Sequence, residues 1–142
     1  DIFGSKLTIE MPQAYGNVLI TYSTSPQASG LQWMDAPLTA GKKQPFMFSQ
    51  SQSIHARSWV PLQDTPGVRF TYSANIKTPK NAMALMSADN APDAVRDGEY
   101  SFHMKQPISS YLLAIAAGDL VFAPISARAG VWAEPSVVKK AA

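Results

Sequence analysis

The sequence predicts an all-β domain, a sandwich-like or saddle-shaped arrangement of mixed and antiparallel sheets with about eight or nine short strands. Three observations carry this reading. Apolar and polar residues alternate with a period of two in several runs, turn-forming residues separate those runs, and no window sustains a helical period. The cleanest run has Val68, Phe70, Tyr72, Ala74 and Ile76 on one face and Arg69, Thr71, Ser73 and Asn75 on the other. That pattern describes a half-buried strand, because successive side chains point to opposite faces of a sheet.

The elements follow in chain order. Leu7, Ile9 and Met11 alternate with Lys6, Thr8 and Glu10, which predicts a first strand. Residues 18–22 (Val-Leu-Ile-Thr-Tyr) are β-branched and aromatic-rich and predict a second. Short strands are expected at 46–48, 82–87 and 130–133, and Gln52 to Ala56 can make one helical turn. Tyr100, Phe102 and Met104 alternate with Ser101, His103 and Lys105. Residues 111–117 are apolar on both parities, so a strand there should be covered on both sides. Turns are expected at Tyr15-Gly16-Asn17, Thr78-Pro79-Lys80-Asn81, Arg96-Asp97-Gly98 and Ala117-Gly118-Asp119.

Composition removes several classes of function. The 142 residues suit one domain, 1–142, and 15% charged residues with 46% hydrophobic ones do not describe a disordered chain. Zero cysteines exclude a disulfide framework, a zinc knuckle and a thiol nucleophile. The net charge of +2 is spread out, with only Lys42-Lys43 and Lys139-Lys140 adjacent, so no nucleic-acid partner is expected. Residues 111–117 form the longest apolar run, against about 20 residues for a membrane-spanning helix, so no membrane partner is expected. The start, Asp1-Ile2-Phe3-Gly4, has neither a basic stretch nor a methionine and reads as a cut inside a longer protein.

Chemistry-bearing motifs are absent from the pattern. His55 and His103 lack metal-ligand spacing, so His55 is expected to be hydrogen-bonded at a turn and His103 to face solvent on a strand. No glycine cluster forms a phosphate loop, and no Gly-x-Ser-x-Gly elbow presents a nucleophile. Asp89, Asp93, Asp97 and Glu99 miss the calcium-loop spacing, and Arg96 sits among them, which suits a solvated loop. The residues by themselves therefore name no catalytic group and no metal ligand.

The densest stretch runs Gly30-Leu31-Gln32-Trp33-Met34, then Gln44-Pro45-Phe46-Met47-Phe48-Ser49-Gln50-Ser51-Gln52-Ser53-Ile54-His55-Ala56-Arg57. It continues as Val60-Pro61-Leu62-Gln63-Asp64-Thr65-Pro66 and Val68-Arg69-Phe70-Thr71-Tyr72. This resembles the N-terminal domain of the gluzincin zinc aminopeptidases, within them the leukotriene hydrolase/aminopeptidase branch. Leu7-Thr8-Ile9, Ser25-Pro26, Ala84-Leu85-Met86-Ser87-Ala88, Asp97-Gly98-Glu99, Tyr111-Leu112-Leu113-Ala114 and Val131-Trp132 fall in the same order, so the resemblance covers nearly the whole chain.

The resemblance implies a saddle-shaped β domain packed on a catalytic domain of the same polypeptide, which would carry the zinc through a His-Glu-x-x-His motif absent here. It implies the N-terminal part of a bacterial, cytoplasmic protein (export being the alternative) that releases N-terminal amino acids from peptides. The isolated chain would be inactive. It also implies that Gln50, Ser51, Gln52 and Ser53 line the lip of the cleft and hold the peptide N-terminus. A free α-amine presents several N–H donors, so its recognition calls for converging acceptors. A freestanding β-sandwich binding or adaptor module is the rival reading.

Arg57 and Asp64 are expected to pair and pin the loop before the long strand, with Pro61 and Pro66 setting its φ angles. Trp33, Trp59 and Trp132 read as core or interface anchors. If the chain is part of a larger protein, it should also expose apolar surface and an unpaired sheet edge.

Overall fold

Eight strands and only short helical turns form from this sequence, in a computed structural model that describes residues 3–12 and 16–142. The strands are β1 (Leu31–Met34), β2 (Phe46–Ser49), β3 (Arg69–Lys77), β4 (Met83–Met86), β5 (Glu99–Ser109), β6 (Ile115–Gly118), β7 (Val121–Pro124) and β8 (Gly130–Ala133). A four-residue helix, α1 (Val138–Ala141), follows. The strands form a four-stranded sheet in the order β1-β2-β6-β4 and the two-stranded ladders β3-β5 and β7-β8. Every ladder among the described residues is antiparallel. The all-β expectation holds.

The long ladder shows how patterning becomes packing. Along β3 exposure alternates at every residue, with Phe70, Tyr72, Ala74 and Ile76 turned inward as their period requires. Opposite them on β5, Phe102 faces Ala74 and Tyr100 faces Ile76. Tyr100 and Phe102 join Met83 and Ala84 of β4 and Leu120 in the buried core, with Phe46 and Trp132 packed against its rim. The ladder slips between Phe70 and Tyr72, whose partners are Ile108 and Met104. Pro107 lies in the slipped stretch of β5, the kind of bulged position to which proline is confined within sheets.

Three expected strands are corrected here. Residues 6–11 and 18–22 lie outside any strand, and Leu7, Ile9, Met11, Val18, Leu19, Ile20 and Tyr22 are exposed, Leu19 to 93%. Their alternation describes a face, but a strand exists only where a second backbone completes the ladder, and none of the described residues does so. Residues 111–117 are not one strand: a 3-10 turn at Ser110–Leu112 leaves Leu112 half exposed before β6 begins. At 52–56 the chain does turn, His55 N–H donating to Ser51 C=O (2.9 Å), and a 3-10 turn follows at Ala56–Ser58. Two strands, β1 and β7, were not predicted, because four residues are too few to show a period.

The expected turns form where they can be described. Ala82 N–H donates to Pro79 C=O (2.9 Å) and Leu120 N–H to Gly118 C=O (2.9 Å). Gly98 has φ +90, and a Cβ there would stand 2.5 Å from the Thr78 carbonyl, so only glycine fits. Asp1, Ile2 and Tyr15, the last in the expected turn at Tyr15-Gly16-Asn17, lie outside the described residues. In the acidic loop Arg96 donates to Asp119 Oδ1 (2.9 Å) and to the Leu120 carbonyl, tying the loop to the β6–β7 connection.

The open edge of the four-stranded sheet at β4 is closed by a side chain. Asn90 Oδ1 accepts from Met86 N–H (3.0 Å), while its Nδ2 donates to Met86 C=O (2.9 Å) and Ala88 C=O (2.7 Å), a substitute for one rung of a missing strand. Asn90→Asp keeps the acceptor and loses both donors, so it should lower unfolding free energy by about 1–2 kcal/mol. Urea titration of the two proteins checks this, and an unchanged midpoint would show that the amide contributes nothing. At the other edge β1 has β2 as its one strand neighbour among the described residues, the unpaired sheet edge that was expected. Exposed apolar surface also exists, concentrated at residues 3–11 and 18–22, and Phe3, Leu7, Ile9 and Ile20 line a groove of about 610 Å³ against residues 57–64.

Candidate substrate-positioning site

β2 is the strand that delivers the candidate residues. Phe46 and Phe48 stack with ring centroids 5.6 Å apart, and β2 lies between β1 and β6, so its end is held from both sides. Past Ser49 the pairing with β1 extends one more step, Gln50 N–H donating to Gly30 C=O (2.9 Å). The chain then turns through residues 50–60, and the peptide bond between Gln52 and Ser53 is cis.

Gln50, Gln52 and Ser53 are exposed at the start of this turn, whereas Ser51 is only 2% exposed. The Ser51 hydroxyl donates to Leu113 C=O (2.8 Å) and accepts from the Trp59 indole N–H (3.2 Å). Its direction is therefore inward, and it does not share the outward face of the two glutamines. Gln52 N–H donates to Gln50 Oε1 (3.1 Å), so the first glutamine's amide is oriented by the second's backbone. What the segment can do chemically follows from its groups: amide oxygens accept from a cation's N–H donors without adding a charge of their own.

The turn is braced from behind. His55 Nδ1 lies 2.8 Å from Ser29 Oγ, the hydrogen-bonded turn histidine that was expected. Ser58 Oγ donates to His55 C=O (2.7 Å) and accepts from Gly30 N–H (2.8 Å). A Cβ on Gly30 would stand 2.5 Å from His55 O, 2.8 Å from Trp59 Cδ1 and 2.9 Å from Ser58 Oγ, so glycine is what lets β1 approach the turn. Tyr22 OH donates to Trp59 C=O (3.0 Å), and partial burial of that hydroxyl pushes the phenol's pKa above its ordinary value although the side chain as a whole is exposed. Burial likewise raises Tyr72, partly offset by the Ser87 hydroxyl at 3.0 Å.

Arg57 and Asp64 form the expected pair. Arg57 Nε and backbone N–H both donate to Asp64 Oδ2 (2.9 and 3.1 Å), Nη2 donates to Asp64 C=O (2.7 Å), and Ser110 Oγ donates to Oδ1 (2.5 Å). The far end of the guanidinium reaches back, with Nη1 donating to Phe3 C=O (2.9 Å). His103 faces solvent on β5 as expected, 3.0 Å from Ser73 Oγ. Trp132 packs on the core and tilts against Phe122 at 5.3 Å, but Trp33 is 61% exposed on β1 and anchors nothing in the core. A depression of about 400 Å³ between β4, β5 and residues 89–97 includes none of residues 50–53.

The bracing groups were missed in the sequence: Ser29, Gly30, Ser58 and the Trp59 N–H. One signal is legible, the Ser-Gln-Ser-Gln-Ser run of 49–53, in which hydroxyl and amide side chains alternate directly after β2.

Residues 4–112 match the family described as the peptidase M1 N-terminal domain. The chain belongs to the peptidase M1 N-terminal domain family. Aminopeptidase RNPEPL1 of Mus musculus is 42% identical over 98% of this chain, and leucine aminopeptidase 2 of Yarrowia lipolytica is 43% identical over 99%. The yeast leukotriene A4 hydrolase solved with bestatin superposes with TM-score 0.75 at 40% identity, covering 83% of this chain and 18% of that one. These relatives put the M1 N-terminal domain described here in the leukotriene hydrolase/aminopeptidase branch. The chain spans about a fifth of the length of the curated relatives it matches (20% and 22%).

Proposed function

We propose that this M1 N-terminal domain forms one lip of the substrate cleft of a zinc aminopeptidase, with Gln50 and Gln52 accepting hydrogen bonds from the peptide's free α-ammonium and Ser53 beside them. The observation that supports the reading is the exposed glutamine pair on a turn braced by buried and half-buried partners. A recognition site needs acceptors held in place before the ligand arrives, since ordering them on binding would cost affinity.

On this reading catalysis belongs to further residues of a longer polypeptide, which would be this domain's partner. Among the described residues no group of three or more His, Cys, Asp or Glu side chains could hold a metal ion. On the same reading the zinc would be held by those further residues, where it would activate water for peptide hydrolysis. The contribution derived for this chain is orientation: two neutral amides favour an N–H-rich terminus and leave charge balance to groups elsewhere.

Steady-state kinetics on the full-length polypeptide test this. Gln52→Ala is expected to raise KM for an unblocked dipeptide about tenfold, the scale of one hydrogen bond to a charged group, with kcat little changed. The 142-residue chain alone is expected to release no amino acid. An unchanged KM, or turnover by the chain alone, would overturn the proposal.

A further inference from the structure

Four consecutive residues, Ser49-Gln50-Ser51-Gln52, alternate hydroxyl and amide, and the structure uses the two pairs differently; Ser53, the next hydroxyl, is exposed like the glutamines. Ser49 Oγ accepts from Ile115 N–H (2.9 Å) and Ser51 Oγ donates to Leu113 C=O (2.8 Å), so both hydroxyls grip the same short stretch at the start of β6. Gln50 and Gln52, one residue out of phase, are exposed. As the chain leaves β2 for the turn, Ser49 and Ser51 therefore point inward while Gln50 and Gln52 point out.

We propose that Ser51 is a positioning residue for substrate, its hydroxyl setting the spacing and direction of Gln50 and Gln52; this rests on the reading of those glutamines as the ammonium acceptors. The hydroxyl has one proton, committed to Leu113 C=O, and it accepts the Trp59 indole N–H. At 2% exposure it has no surface to offer a ligand and acts through its neighbours. Trp59 is itself held, its carbonyl by Tyr22 OH and its ring against Gly30. A chain of contacts therefore runs from Leu113 through Ser51 to Trp59, and it flanks the backbone that carries both glutamines. Losing the hydroxyl would leave the Leu113 carbonyl and the indole N–H without this partner, and the turn would relax to satisfy them.

The test is a mutant cycle on the full-length polypeptide with leucine p-nitroanilide as the probe. Ser51→Ala is expected to raise KM about fivefold and change kcat by less than about twofold, since a small misplacement of acceptors weakens binding of the amine. In a Gln50→Ala/Gln52→Ala background the same substitution should have no further effect on KM, which a merely structural role would not produce. Trp59→Phe keeps an aromatic ring and removes the N–H, so it serves if Ser51→Ala does not fold; it should raise KM in the same direction and lose that effect in the same background. If the glutamine variants raise KM but Ser51→Ala and Trp59→Phe act undiminished without them, the positioning role is wrong and the acceptor reading stands. If the glutamine variants leave KM unchanged, the acceptor reading fails and takes this one with it.

Discussion

Asp64→Ala is expected to lower the unfolding free energy by about 3 kcal/mol, the scale for breaking one partner out of a largely buried ion pair. The Asp64 side chain is 2% exposed while that of Arg57 is 31% exposed, so the carboxylate is the member that depends wholly on protein partners. It accepts from Arg57 Nε, Arg57 N–H and Ser110 Oγ, and its removal leaves all three donors short at once. The effect should exceed that of an exposed pair, worth about 0–1 kcal/mol, because solvent screens little here. Urea unfolding of the 142-residue chain measures it, and a loss under about 1 kcal/mol would mean that the pair decorates the loop without holding it.

The same site makes an acid-limb prediction. Burial by itself would raise the Asp64 pKa, but hydrogen bonds from Ser110 and Arg57, with the guanidinium charge, outweigh it and the carboxyl is lowered. A carboxylate whose folded pKa lies below its unfolded value contributes stability that is fully present above the unfolded pKa of about 3.9. That contribution fades as pH falls through the lowered folded value. Wild type should therefore lose more stability than Asp64→Asn between about pH 5 and the acid end of the titration. Parallel stability curves for the two proteins would refute the assignment.

Gly30→Ala is the second large effect, expected to cost about 2–3 kcal/mol by overpacking. The new methyl would stand 2.5 Å from a backbone carbonyl, that of His55, which cannot rotate out of the way. Its other neighbours, the Trp59 ring edge and Ser58 Oγ, are both hydrogen-bonded within the turn, so relief of the clash must move the turn itself. Stability should fall and the Trp59 environment should change together. The near-ultraviolet circular dichroism signal reads the second, and a variant with native stability and an unaltered spectrum would show that β1 and the turn have room that the geometry denies.

These residues also show how far the sequence could be read. The half-buried strand at 68–76 was legible because nine residues of strict alternation admit one reading, and the structure places β3 at Arg69–Lys77. The Arg57–Asp64 pair was legible because a cation and an anion flank a proline-bearing loop with nothing else of either sign between them. The same alternation at 6–11 misled, since periodicity reports which side chains share a face and is silent on whether a partner strand exists. β1 was invisible for the opposite reason: a four-residue strand is defined by its pairing with β2 and has almost no pattern of its own.

The candidate site divides in the same way. Its residue types and their alternation were in the sequence, and so was the family resemblance that pointed to 50–53. That Ser51 faces inward while its neighbours face out is decided by Leu113 and Trp59, 62 and 8 residues away, and local sequence does not encode who will be waiting at that distance. Sequence alone determined the all-β class, the turns and the family resemblance, because these depend on local propensity and on the order of residues along the chain. Tertiary structure decided which runs became strands and which hydroxyl became a brace, because a ladder rung or a buried hydrogen bond exists only when two distant segments meet.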